Sequence, residues 1–173
     1  MTYVGPIKLG GKDVTLNGTV QEIYSQIKDL TGSVLKPEDS HDHHSDRKLQ
    51  TRSKILLRSN LLMGIKMIKI SINCNPQGEH AKMRAIRDGI KYLKGLRGMC
   101  STPGLNCYRV SCSYGSGIFI CNDTSHTVEV SCRDLASYAQ DIVDMCAGEY
   151  VGTAKGQEFD SAGFNVIVKK GNC

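Results

Sequence analysis

The chain has 173 residues, 40% hydrophobic and 23% charged, with 18 glycines and a formal net charge of +5. Those values fit about one globular domain and exclude a collagen-like or wholly disordered polymer. Its unusual number is eight cysteines, all between Cys74 and Cys173, while the basic excess lies before them. Residues 1–73 carry 11 Lys and Arg against 7 Asp and Glu, and residues 74–173 carry 11 against 10.

Met1 to Gly11 holds no apolar stretch of the ~7–15 residues a signal peptide requires, so export would rest on a signal upstream of the residues given. Gly5-Pro6, Gly10-Gly11 and Asn17-Gly18 are turn signals. Thr19-Val-Gln-Glu22 has the form of a capping box, and Val20, Ile23, Ile27 and Leu30 then fall on one face of a short helix. This amphipathic element is expected to dock on the core or to act as a pro-segment. Lys36 to Arg58 is polar and reads as a linker.

Within that linker His41-Asp42-His43-His44, with Asp39 and Asp46, offers imidazole and carboxylate groups. A linker loses its full chain entropy on closing a metal site, so the tract is read as solvated and no metal is assigned. Arg47, Lys48, Arg52, Lys54, Arg58, Lys66 and Lys69 follow with no acid between them. They could tether a nucleic acid or an anionic membrane, direct nuclear import or mark a dibasic cleavage site. With no aromatic residue between positions 25 and 91 to stack on bases, they too read as a solvated linker. The apolar run Ile55 to Ile72 is broken by Arg58, Lys66 and Lys69, and each charge at a bilayer centre costs a few kcal/mol, so no membrane span is expected. The division drawn is residues 1–60 as pro-segment and linker with one short helix, and residues 61–173 as a cysteine-rich domain.

In that domain Ile68, Ile70 and Ile72 alternate with polar residues, the pattern of a half-buried strand over residues 65–74. Met83, Ile86, Ile90 and Leu93 follow with helical spacing, while Lys82, Arg84, Arg87, Lys91 and Lys94 cover other faces. Those cations read as a solvent face whose functional counterpart would be phosphate or an acidic partner. Asn106 to Tyr114 and Ile118 to Cys121, joined through Gly115-Ser-Gly117, form a hairpin. Asn122 to Ser125 is a turn, and Ser131 to Asp134 has capping-box form. The helix it opens places Cys132, Leu135, Ala139, Ile142 and Cys146 on one stripe flanked by Tyr138 and Val143, and Phe164 to Val168 makes a last strand. The order strand, helix, strand, strand, helix, strand gives a small disulfide-rich α+β two-layer sandwich, split βαβ-like, behind a largely irregular N-terminal segment. An RNA-recognition domain shares that order, but neither central strand carries its aromatic motif.

The gaps between successive cysteines are 25, 6, 4, 8, 10, 13 and 26 residues, with no C-x-x-C pair, which disfavours zinc and favours a disulfide framework. Cys132 and Cys146 cannot bond each other, because 14 helical residues span ~21 Å and a disulfide allows a Cα separation of only ~4–7 Å. Each must staple the helix to something else. Cys107 and Cys112 are excluded as mutual partners by sharing a strand. The rest of the pairing among Cys74, Cys100, Cys107, Cys112, Cys121, Cys132, Cys146 and Cys173 stays open.

Asn17-Gly-Thr19 and Asn122-Asp-Thr124 match the N-glycosylation sequon, the second in an expected exposed turn. Glu149, Glu158 and Asp160 read as acids of the loop before the last strand, although paired carboxylates could serve glycoside hydrolysis. His80 and His126 are singletons. No phosphate loop, nucleophile elbow or HExxH is present, so no catalytic residue and no cofactor are assigned.

Val110-Ser-Cys-Ser-Tyr-Gly-Ser-Gly-Ile118, Ile120-Cys-Asn-Asp123, the helix Cys132 to Cys146, Gly156-Gln-Glu-Phe-Asp160 and Gly163-Phe-Asn-Val-Ile-Val168 resemble small cysteine-rich proteins secreted by filamentous ascomycete fungi. A looser architectural likeness is to fungal killer toxins and secreted necrosis-inducing effectors. The resemblance covers residues 74–173 and implies secretion, a disulfide-bonded α+β domain and a role as an effector outside the cell. The resulting expectation is a secreted, non-enzymatic monomer that binds a protein or cell-surface target of a host or competitor, without nucleic acid. The alternatives are a secreted enzyme or inhibitor of a host hydrolase, and an intracellular nucleic-acid-binding protein with reduced thiols.

Overall fold

The computed structural model describes residues 1–8, 11–35, 67–147 and 152–173. The histidine tract 41–44, the cations between Arg47 and Lys66, and Glu149 lie outside the described residues. Among the described residues eleven strands and three helices follow in chain order: β1 (Thr2–Pro6), β2 (Asp13–Asn17), α1 (Val20–Thr31), β3 (Lys69–Asn73), β4 (Ala81–Lys82), α2 (Met83–Gly95), β5 (Met99–Thr102), β6 (Asn106–Ser113), β7 (Ser116–Asn122), β8 (Val128–Ser131), α3 (Cys132–Cys146), β9 (Thr153–Ala154), β10 (Gly156–Asp160) and β11 (Phe164–Lys170).

The strands form a five-stranded sheet in the order β3-β10-β11-β7-β6, a four-stranded sheet β2-β1-β5-β8 and a short β4-β9 ladder. All pairings are antiparallel. Helix α3 packs over β10 and β11, α2 over β6 and β7, and α1 against α2 and β6, so the helices share one face of the larger sheet. The α+β, disulfide-rich two-layer class is as expected. The strand order departs from a single split βαβ sheet, because β10 lies between β3 and β11.

The described part of the N-terminal segment, residues 1–8 and 11–35, is not largely irregular. Two strands precede α1, and β1 pairs with β5 in the register Thr2↔Ser101, Tyr3↔Cys100 and Val4↔Met99. Tyr3, Val20, Ile23 and Ile27 are at most 1% exposed and belong to the same apolar cluster as Ile86, Ile90, Leu93 and Leu96. Two glycines make the approach close: a Cβ on Gly98 would lie 2.2 Å from the Val4 carbonyl, and one on Gly5 would lie 2.5 Å from Gly98 Cα. The division drawn near residue 60 therefore does not divide the core, to which residues from both sides contribute.

Local signals largely hold. The Thr19 hydroxyl receives the Glu22 N–H while the Glu22 carboxylate receives the Thr19 N–H at 2.6 Å, and Gly32 closes α1 in the left-handed conformation at φ 64°. Leu30 is not on the buried face; it is exposed, and Tyr24 is buried instead, packing edge-on to Tyr92 at 4.8 Å. Ser131 makes no side-chain cap, and the first helical N–H, that of Cys132, donates to the Gly98 carbonyl. Strand β3 forms, but Ile68 and Ile70 are exposed: β3 is an edge strand with an irregularity opposite Phe159 and Asp160.

All eight cysteines pair: Cys74–Cys146, Cys100–Cys132, Cys107–Cys121 and Cys112–Cys173, with Cα separations of 4.0–5.4 Å. Helix α3 is thus stapled at both ends, to the chain just after β3 and to β5. Cys107–Cys121 bridges directly opposed residues of β6 and β7, and Cys112–Cys173 ties β6 to the chain end.

Candidate functional site

The two faces of the five-stranded sheet have opposite characters, set by the period-2 alternation of its strands. Glu158, Val166 and Ile120 lie in one cross-strand row and are at most 3% exposed. The adjacent row is Gln157, Ile167, Phe119 and Arg109, and it lies on the opposite face.

On the helix-covered face, Glu158 and Asp160 project from a strand rather than a loop. Tyr138 of α3 donates its hydroxyl to Asp160 Oδ2 at 2.6 Å, and Asp160 Oδ1 accepts the Ala162 N–H at 2.7 Å. Lys69 reaches in from β3, with its ammonium 4.5 Å from the Tyr138 ring centre, bonded to Asp141 and 3.9 Å from Glu158 Oε2. Glu158 Oε2 is buried without a hydrogen-bond partner. Burial above all, then the nearby Asp141 and Asp160 charges, pushes the Glu158 carboxyl up to about 7 against the opposing pull of Lys69. Burial likewise raises Asp134, again opposed by Lys69, and burial and the bond to Asp160 raise Tyr138. This is a carboxylate pair packed under α3, where no substrate reaches it, so hydrolytic chemistry is not assigned to it.

The opposite face carries an open cleft of about 560 Å³ lined by Tyr108, Arg109, Phe119, Ile167, Lys169 and Asn172 together with the Cys107–Cys121 disulfide. Arg109 donates from Nη1 to the Asn172 carbonyl, and Lys169 places its ammonium 5.7 Å from the Phe119 ring centre. No carboxylate is among the described lining residues. The arrangement can hold an anionic group between two cations with an apolar or planar surface against Phe119 and Ile167. None of these residues stood out in the sequence, since they come from three strands up to about 60 positions apart. The signal was the unbroken apolar run Ile118-Phe-Ile120 in β7, which clothes both faces of the sheet.

Asn17 is exposed at the end of β2. Asn122 is not an exposed turn residue: it is 2% exposed, its amide nitrogen donates to the carbonyls of Thr102, Pro103 and His126, and its oxygen accepts from the Thr124 N–H and hydroxyl. A glycan on that nitrogen would break this clip. Asn122→Ala removes these five hydrogen bonds, although the His126 carbonyl and the Thr124 hydroxyl keep each other, with an expected loss of about 2–3 kcal/mol by chemical denaturation, and secreted protein should carry no glycan mass at Asn122.

The fold and its staples define a small, oxidised, disulfide-rich α+β protein, the redox state of chains that have left the reducing cytosol. No helix among the described residues is long and apolar enough to cross a membrane. No family model, no curated protein and no solved structure matches this chain.

Proposed function

We propose that this is a secreted effector or toxin-like protein that acts by binding a target molecule of a host or competitor through the open face of its five-stranded sheet. The observation that carries this reading is the cleft: two cations, Arg109 and Lys169, flank an aromatic and aliphatic floor on the face the helices leave uncovered. Four disulfides support it, because a covalently stapled sheet keeps such a face in shape outside the cell. The resemblance of residues 74–173 to secreted fungal cysteine-rich proteins supports it further.

The test is to apply purified oxidised protein to host tissue and to cultures of competing microbes, beside an Arg109→Glu/Lys169→Glu variant with an unchanged melting curve. A growth or necrosis response to the parent that falls at least about tenfold in the variant is expected, since reversing charges at a complementary site costs several kcal/mol. No response to the parent in any tested organism, or an equal response to both proteins, would defeat the reading.

A further inference from the structure

The cleft does not use the basic face of α2. Arg84, Arg87, Lys91 and Lys94 fall at i, i+3, i+7 and i+10 along α2, opposite the buried Ala85, Ile86, Gly89, Ile90 and Leu93. They form one ridge, on which successive cations stand ~5–6 Å apart and whose ends are ~15 Å apart. Lys82 precedes it and Arg97 follows it. Arg133, from the first turn of α3, donates its Nε to the Lys94 carbonyl at 2.9 Å, bringing another guanidinium to the same end.

Asp88 is the only acid on α2. Two cations elsewhere among the described residues are ion-paired, Lys69 with Asp141 and Lys170 with Glu79. Among the described residues, by contrast, Arg84, Arg87, Lys94 and Arg97 take part in no ion pair. Like charges at such spacing weaken a helix by a few tenths of a kcal/mol per pair. A ridge of this kind is suited to an external polyanion.

We propose that the α2 ridge binds an acidic polysaccharide. Arginine forks match carboxylate and sulfate oxygens in a bidentate manner, and the regular spacing suits a linear polymer with repeating charge. Single-stranded nucleic acid is the poorer match, because base stacking needs exposed aromatic rings. The one aromatic residue of α2, Tyr92, is engaged by Tyr24 through ring contact and through a hydrogen bond from the Tyr24 hydroxyl to its carbonyl. The oxidised, stapled state also suits an extracellular setting, where many acidic polysaccharides carry carboxylate or sulfate groups.

The test uses heparin fragments of defined length as the probe, titrated at several salt concentrations against the full oxidised chain. Arg84→Gln/Arg87→Gln/Lys94→Gln removes three charges and keeps helix propensity; its circular dichroism and melting should match the parent. Its affinity near physiological salt should fall at least about tenfold, and its salt dependence should flatten by about three counterions. Arg109→Glu/Lys169→Glu should bind heparin like the parent, which separates this ridge from the cleft. The proposal is overturned by a parent that does not bind heparin, by a triple variant that binds equally well, by loss in the cleft variant instead, or by tighter binding of duplex DNA at the same salt.

Discussion

A chain that starts at residue 61 is expected not to form an oxidised, protease-resistant domain. Removing the N-terminal segment strips β1 from β5 and uncovers the apolar cluster around Ile86, Ile90, Leu93 and Leu96. Besides Met1 and Leu16, five large buried side chains go with it, those of Tyr3, Val20, Ile23, Tyr24 and Ile27. At roughly 2 kcal/mol each they represent about 10 kcal/mol, the size of a typical domain's whole stability. Oxidative refolding of the truncated chain should yield mixed disulfide isomers, seen as several species by non-reducing chromatography and as rapid proteolysis. Full-length Ile23→Ala isolates the packing contribution, with an expected loss of about 2–5 kcal/mol. A truncated chain that refolds to one four-disulfide species with a cooperative melt would show the segment to be dispensable.

The raised Glu158 carboxyl is expected to cost stability as pH rises from about 4.5 to about 7. It is held at about 7 in the folded protein against an ordinary 4.5, so the native state keeps a proton that the unfolded chain gives up. The stabilisation is full below the unfolded value and is lost as pH climbs through the folded one, about 3 kcal/mol at most. The groups facing Glu158 are Lys69 from β3, Tyr138 and Asp141 from α3, and Asp160 from its own strand. Lys69 moderates the effect, and the raised Asp134 adds to it with the same sign.

Glu158→Gln keeps the shape and removes the titration. The variant should match the parent near pH 4.5 and exceed it by about 2–3 kcal/mol at pH 8 in urea denaturation. Parallel pH profiles for the two proteins would show that the carboxyl titrates normally. The device favours an acidic setting, where the neutral carboxyl leaves Lys69 to Asp141.

Secondary structure was legible wherever local chemistry decides it. The capping box at Thr19, the stripe from Cys132 to Cys146 and the hairpin Asn106 to Cys121 are written in adjacent residues and formed as read. Strand β10 was not legible, because Gly156-Gln-Glu-Phe-Asp160 puts its acids on the buried face, reversing the usual sign of the pattern. Strand β1 was hidden for a related reason: Tyr3 is its one large apolar side chain in the core, and its glycine serves close approach to Gly98 rather than a turn. The cleft was out of reach for lack of any local marker, and the basic helix face was visible while its surroundings were not.

By itself the sequence determined the α+β class, the disulfide chemistry and the exclusion of a Cys132–Cys146 bond, because these rest on composition, short-range periodicity and the fixed rise of a helix. The tertiary structure alone decided which cysteines meet, that residues 1–35 belong to the core, and that Arg109, Phe119, Ile167 and Lys169 share one face. Those outcomes depend on the registry of strands distant in the chain, which is set by burying the whole apolar cluster at once and leaves no trace in any local window.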